Sequence, residues 1–443
     1  MLKTFRIGGI HPKENKFSAG MAIQTIAIPG EVIIPLSQHI GAPCQPVVKK
    51  GDKVKAGTLI GKAVGFVSAN IHSSVSGTVV KIDKALDASG YKRDAVFIKV
   101  EGDEWEPAVD RSLSLVSECR LTQKEILDKI AAAGIVGMGG ATFPTHVKLT
   151  PPPGTKAELL IINAVECEPY LTSDHQLMME KSDEIMVGIT IVMKALNVEK
   201  AIIGIENNKR DAIEQFRQKA KAYPGITVEA LKVQYPQGGE KQLIDALTGR
   251  QVPSGALPIS VGAVVQNVGS TFAVYEAVQK NKPLVERVVT ITGKDVKQPC
   301  NILSRVGIPL NNLIAMAGGV PETTGKVISG GPMMGKALAS IDIPVTKGTS
   351  GVLIVPTLEA KRKAMKDCIR CGKCVDVCPM GLNPTLLMNL TEYEVWDRAE
   401  KNGITDCIEC GSCSYTCPAD RPLLDYIRLG KGKVMGIVRA RKN

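Results

Sequence analysis

Aromatic side chains make up only 4% of the 443 residues, too few for the broad stacking platforms that hold nucleobases. Long hydrophobic runs are missing as well. The wholly apolar stretches are as short as Ile202–Ile203 and Val352–Val355, far below the roughly 20 residues a membrane-spanning helix needs. The opening MLKTFRIGGIHPKENK has no apolar core of a secretory signal. The expectation is a chain on the cytoplasmic side, held peripherally if it meets the cell (inner) membrane. No block of Lys and Arg dominates any segment, although the net charge is 55 − 44 = +11. That surplus favours anionic partners, such as a nucleotide, a lipid surface or an acidic redox protein, and gives no support to nucleic-acid binding. Low-complexity linkers are absent. With 44% hydrophobic and 22% charged residues, the chain has material for about three cores.

Cysteine is where the sequence is rich. Of twelve cysteines, eight fall in two copies of C-x2-C-x2-C-x3-C-P: Cys368, Cys371, Cys374 and Cys378-Pro379, then Cys407, Cys410, Cys413 and Cys417-Pro418. This is the run of bacterial two-cluster ferredoxins, in which the fourth cysteine of each copy serves the other copy's cluster. Three thiolates in one tight loop cap three irons of a cubane, but the loop is too short to reach the fourth. The pattern predicts one [4Fe-4S] cluster on Cys368, Cys371, Cys374 and Cys417, and another on Cys407, Cys410, Cys413 and Cys378. Paired zinc sites would need neither two identical runs nor the trailing prolines, and disulfides are disfavoured in a reducing compartment. Gly372 and Gly411 allow close backbone approach to a cluster, with Arg370 and Lys373 adding positive charge. Cys44, Cys119 and Cys300 have no partner at metal-ligand spacing and read as structural.

The expected fold is multidomain α/β and α+β, in four parts. Residues 1–119 form an all-β barrel-sandwich module: VVKKGDKVKAGTLIGKAVGFVSANIHSSVSGTVVKI alternates β-branched runs with glycine turns, as in lipoyl and biotinyl carriers. The segment around His72 offers no lysine for a swinging arm, so docking or structure is its expected role. Residues 120–282 read as a layered α/β domain. Thr122 and Glu125 are set to cap its first helix, and ELLIINAV, KAIIGIE and ITVEALKV are its strands. Residues 283–350 suggest a small β-grasp-like domain, and 351–443 a helical two-cluster ferredoxin-like domain with a basic tail. That tail, RPLLDYIRLGKGKVMGIVRARKN, suits anionic lipid or a membrane subunit, or equally solvent.

Three polar segments stand at strand–helix junctions of the second domain. Gly137, Gly139 and Gly140 form a loop whose N–H groups can cradle a phosphate, with Lys148 close by, or which simply turns the chain between helix and strand. Asn163-Ala164-Val165-Glu166-Cys167-Glu168-Pro169 follows the strand LLII, where open α/β sheets bind ligands. Gly238-Gly239-Glu240-Lys241 and Gln266-Asn267-Val268-Gly269-Ser270 come after it. Cys167 is expected to be a buried, inert thiol. Met333-Met334 reads as packing, and Asp174 and His175 as a helix cap and a surface or supporting residue.

In order, these segments resemble G-x-G-G-x-G-F-P-T-x-x-K, N-x-x-E-x-E-P, G-E-E-T and N-N-V-E-T of the flavin- and NADH-binding subunit of respiratory complex I. Together with FRIGGIHPKENK, ISGGPMMG, the barrel sandwich and the two ferredoxin runs, nearly the whole chain resembles the RnfC family of the Rnf electron transport complex. The resemblance implies non-covalent FMN held by Gly137, Gly139, Gly140, Lys148, Asn163, Glu166, Gly239, Glu240, Asn267 and Ser270. It implies that Phe143 and Glu168 meet the NAD(H) nucleotide. It implies a ferredoxin-like B subunit and membrane flavoprotein subunits as partners, with ion translocation carried out by other subunits. Met138, Val165, Lys241 and Gly269 depart from the complex I pattern, replacing Arg, Asp, Glu and Glu. Two other readings are a cobalamin reductase, in which the flavin segment would precede the barrel, and a non-catalytic iron–sulfur adaptor.

Overall fold

A computed structural model describes residues 2–441. In the N-terminal region, Glu31–Pro35, Lys92–Val100, Gly77–Leu86 and Lys53–Val54 form an antiparallel four-stranded sheet in that order. Gln45–Pro46, Leu59–Lys62 and Ile71–His72 make a smaller sheet of three. Alternate residues such as Val32 and Ile34, or Val96 and Ile98, turn inward and are fully buried, as the two-residue period of a strand requires. His72 is buried at the end of its strand with Nδ1 unpartnered, a packing residue.

That core is continuous with a second one. Val54, Ile60 and Val79 share a hydrophobic cluster with Val289, Ile302, Ile314 and Val352. The latter belong to a six-stranded mixed sheet ordered Ile23–Thr25, Cys300–Arg305, Glu286–Thr292, Gly351–Pro356, Thr324–Ser329, Lys336–Ala337, together with the helix Leu310–Met316. Its first strand comes from nearly 280 positions earlier, pairing Ile23 with Asn301.

The α/β region is built on four parallel strands ordered Ile226–Leu231, Ala201–Glu206, Leu159–Asn163, Ala263–Asn267. Its central strands are apolar on both faces because helices cover both. The capping box at Thr122 and Glu125 forms as expected. Two helices, Ser173–Glu180 and Ser182–Leu196, follow, separated where Lys181 leaves helical geometry. From the central strand Leu159–Asn163 the chain proceeds in one direction across the sheet, and its last strand, Ala263–Asn267, lies on the other side. The topological switch point therefore falls between these two strands, whose terminal Asn163 and Asn267 are register partners. A ligand crevice is expected at such a point.

The C-terminal region is helical. Pro384–Glu392 and Leu423–Ala440 pack through Leu387, Leu390, Ile427 and Val434, and Gly430 lets the last helix lie against Thr391. The final two residues of the basic tail lie outside the described part. Among the described residues no helix is long and apolar enough to cross a membrane.

Candidate functional site

Asn163 and Asn267 frame the crevice at the switch point, and each is held by its own hydrogen bonds. Asn163 Nδ2 donates to Gly238 O at 2.8 Å. Asn267 Oδ1 accepts from Ser270 N at 3.1 Å, capping the helix Val268–Lys280, while its Nδ2 donates to Asp174 Oδ2 at 2.8 Å. The glycine loop is pinched at its neck by a bridge between Val136 and Pro144, with Gly137 N donating to Phe143 O at 2.9 Å. Ser270 ties the loop to the helix N-terminus: its Oγ accepts from Met138 N at 2.7 Å and donates to Val136 O at 3.1 Å.

Beyond that neck, Gly139 and Gly140 are exposed over the crevice mouth. A Cβ on Gly139 would stand 2.7 Å from Asn267 Nδ2, whereas one on Gly140 would meet nothing. Only Gly139 therefore needs to be glycine for space. Lys148 reaches the same region, donating to Val265 O at 3.0 Å and Glu240 Oε1 at 2.9 Å. Gly239 precedes the helix Glu240–Thr248, with its own N–H bonded to Pro236 O. The structure thus brings Gly137, Gly139, Lys148, Asn163, Glu240, Asn267 and Ser270 around one crevice, with half-buried Phe143 at the base of the loop.

The two glutamates of the second motif each have partners within the protein. The Glu166 carboxylate accepts from Asp174 N at 2.8 Å, His175 N at 3.1 Å and Ser173 Oγ at 3.3 Å. It caps the helix Ser173–Glu180, and the backbone adopts a positive φ of 47° to place it there. Asp174 is therefore not the cap, which corrects the sequence expectation. It turns into the crevice, where burial and then the neighbouring Glu166 charge push its carboxyl up to about 7. His175 is buried and bonded to Asp211 at 2.9 Å.

Glu168 Oε1 accepts from Met333 N at 2.6 Å and Met334 N at 3.1 Å. Burial raises its pKa, and those amides pull it back. The Met333-Met334 turn is thus more than packing, because it encloses a carboxylate of the flavin-type domain. Two departures from the complex I pattern turn out to be neighbours: a Cβ on Gly269 would lie 3.2 Å from Met138 Cε and 3.3 Å from Asp174 Oδ1. Asn267, the Met138 side chain and Asp174 thus leave little room for a larger residue at 269. Cys167 is an inert thiol, pushed far up by burial and accepting from Gly238 N.

The structure brings one of the two expected cysteine sets together. Cys378, Cys407, Cys410 and Cys413 line a single apolar cavity closed by Leu387, Leu424 and Ile427. The fourth cysteine of the first run therefore stands among the first three of the second, as the crossed assignment requires. Burial, then the proximity of Cys410, pushes Cys413 up to about 12. Burial likewise pushes Cys407 up to about 11 and raises Cys378. Cys374 and Cys417 share a cluster with Met388, Leu423 and Cys413 of the other set, while Cys368 and Cys371 are exposed. In the first set Cys378, Cys410 and Cys413 are buried and Cys407 is half-buried, whereas in the other Cys374 and Cys417 are half-buried and Cys368 and Cys371 exposed. Every residue from 361 to 373 is exposed, six of them basic (Lys361, Arg362, Lys363, Lys366, Arg370, Lys373) against one Asp367.

Sequence reasoning missed the crevice-facing role of Asp174 and the contacts of Tyr235, whose hydroxyl donates to Cys410 O at 2.8 Å. It also missed Gln242, which donates to Pro379 O at 3.1 Å. The Gly8-Gly9 pair was the one local sign of the close approach between these regions.

Comparison with known proteins agrees with this layout. The chain matches the models of the RnfC barrel sandwich hybrid domain over residues 3–103, the Nuo51 FMN-binding domain over 130–276, the SLBB domain over 288–337 and the 4Fe-4S dicluster domain over 360–418. Those domains define a flavin- and iron–sulfur-binding electron-transfer chain, and the cavity lined by Cys378, Cys407, Cys410 and Cys413 presents four thiols that fit a cluster. The chain is 50% identical over 438 residues to the C subunit of the proton-translocating ferredoxin:NAD+ oxidoreductase complex of Clostridium ljungdahlii, covering 98% of this chain and 94% of that one. It is 46% identical over 434 residues to the Na+-translocating counterpart of Acetobacterium woodii, covering 98% and 97%. To the C subunit of the ion-translocating oxidoreductase complex of Rhodobacter capsulatus it is 42% identical over 440 residues, covering 98% and 84%. The chain belongs to the RnfC family, the C subunits of the ion-translocating ferredoxin:NAD+ oxidoreductase complexes.

Proposed function

We propose that this subunit exchanges electrons between NAD(H) and an acidic, ferredoxin-like subunit of its complex, on the cytoplasmic side of the membrane. When bound, FMN supplies the exchange between a two-electron hydride and single electrons, and two [4Fe-4S] clusters supply one-electron storage. The flavin is assigned to the crevice framed by Gly137, Gly139, Gly140, Lys148, Asn163, Gly239, Glu240, Asn267 and Ser270. There Lys148 and the helix N-terminus capped by Asn267 offer positive potential to a phosphate. Phe143 stands at the loop base, suited to stacking on a ring. Glu166 acts from behind by fixing the helix that presents Asp174, and Glu168 by anchoring the Met333-Met334 turn. The clusters are assigned to Cys378, Cys407, Cys410 and Cys413 (inner) and to Cys368, Cys371, Cys374 and Cys417 (outer).

The observation that carries this reading is the unlike burial of the two thiol sets. In the inner set Cys410 packs beneath Tyr235 of the α/β domain, and the outer set includes Cys368 and Cys371, exposed on a basic surface. A partner met there is acidic, so its association rate falls as salt rises. The test is an anaerobic titration of the FMN- and iron-loaded chain with NADH. Bleaching of flavin and cluster absorbance is expected. A chain that retains both groups yet stays oxidised would instead be an adaptor, and fast reduction of a cobalamin would favour that alternative chemistry.

A further inference from the structure

The contact between the α/β domain and the inner thiol set is made by three hydrogen-bond donors, all on one side. Gly9 N donates to Val377 O at 2.9 Å, Gln242 Nε2 to Pro379 O at 3.1 Å, and Tyr235 Oη to Cys410 O at 2.8 Å. Each acceptor is the carbonyl of an inner-set cysteine or of its immediate neighbour. Around them Ile10, Tyr235, Val377, Ile408, Met333 and Cys410 close a dry patch.

The donors are themselves fixed to the flavin crevice. Ile10 and Tyr235 exchange backbone hydrogen bonds at 2.8 and 2.9 Å, and Gln234 Nε2 holds Gly8 O at 2.8 Å, so the strap of residues 3–10 is stitched to the chain around Tyr235. A few residues past that strip, Gly238 bonds both Asn163 and Cys167, and Gln242 lies in the first turn of the helix that begins with Glu240, the partner of Lys148. The segment 234–242 therefore has one edge on the crevice and the other on the inner cysteine loops. The strap cannot yield at its contact: a Cβ on Gly8, whose φ is 71°, would stand 2.6 Å from the carbonyl of Cys378.

We infer that Tyr235 and Gln242, backed by the Gly8-Gly9 strap, are positioning residues that fix and tune the inner cluster relative to the flavin site. The inference rests on the cluster and flavin assignments above. Donors aimed at the peptide dipoles of a cluster's ligand loop stabilise its more negative, reduced state, and burial makes each donor count for more. Removing them makes the inner cluster harder to reduce and leaves the outer one unaffected.

The test uses the full, anaerobically loaded chain and an EPR-monitored redox titration of Tyr235→Phe, Gln242→Met and the double variant. Both substitutions keep side-chain bulk and remove the donor. The expected result is a lower midpoint for one cluster only, by about tenfold in its reduction equilibrium for the double variant, or about 59 mV for one electron. Iron and flavin content should match the parent. Gly8→Ala gives a second readout: faster amide hydrogen exchange in 377–382 with unchanged exchange in 368–374. Unshifted midpoints in the double variant, equal shifts of both clusters, or unchanged exchange in Gly8→Ala would each overturn the inference. A parent chain that fails to load iron or flavin would instead refute the underlying assignments.

Discussion

Replacing Glu168 with alanine separates two roles for this residue, an anchor within the protein and a contact to the nucleotide. Its Oε1 accepts two backbone N–H groups, from Met333 at 2.6 Å and Met334 at 3.1 Å. Hydrogen bonds to a charged acceptor contribute about 1.5–3 kcal/mol each. The first is short and largely shielded, while Met334 is exposed, so the pair is taken near the lower end, at about 3 kcal/mol. Since about 1.4 kcal/mol is a factor of ten, the amides of Met333 and Met334 should exchange about a hundredfold faster in Glu168→Ala. Glu168→Gln, which keeps one acceptor oxygen and loses the charge, should fall between. Gly331→Ala should mimic the loss with the glutamate still present, because a Cβ there collides with the Glu168 side chain. Hydrogen exchange read by mass spectrometry on the 330–336 peptide is the assay. Parent-like exchange in Glu168→Ala, accompanied by a large rise in the KM for NADH, would refute the anchor and restore the nucleotide contact.

Other consequences are simpler to state. Lys148→Ala should weaken FMN retention by about tenfold, the scale of one charge-assisted hydrogen bond, with iron content unchanged; equal loss of both would mean the chain had unfolded. Cys378→Ser should cost about half of the iron expected for paired cubanes, and should do so at the second run's cluster, seen as loss of one of two EPR signals. Asp174 carries a folded-state value of about 7, above that of an unfolded aspartate. The native state therefore binds the extra proton, and stability is lost as pH rises from about 4 to 7. Glu166, Asn267, Arg287 and Lys209 are the groups that shape that value. Asp174→Asn should abolish the slope and gain about 2 kcal/mol at pH of about 8, after discounting for the part of the side chain open to the crevice. Thermal melts of the apoprotein at mildly acidic and mildly alkaline pH would show it.

The local patterns were legible and the distant contacts were not. Eight cysteines at fixed spacing lead to the expectation of crossed pairing, and the structure brings Cys378 beside Cys407, Cys410 and Cys413. The strands Leu159–Asn163 and Ala201–Glu206 are visible as apolar runs, and the Thr122 cap as a three-residue spacing. By contrast, Ile23–Thr25 carries no local sign that it will pair with Cys300–Arg305, since strand pairing at that separation is decided by a shared core. Glu166 reads in sequence as a residue of the flavin site, and its second tie, to a helix, is invisible there. In the fold, a positive φ swings it onto a helix N-terminus, leaving Asp174 to face the crevice. The departures Met138 and Gly269 look like separate losses along the chain and become neighbours in the fold, with Asp174 beside them.

The proposed pair of crossed thiolate sets beside a flavin crevice fixes what the anaerobically purified protein must contain, and elemental and flavin analysis of that preparation is the decisive measurement. Paired cubanes require about eight irons per chain, with matching acid-labile sulfide and one FMN. Zinc in place of iron, or iron without sulfide, would contradict the crossed assignment.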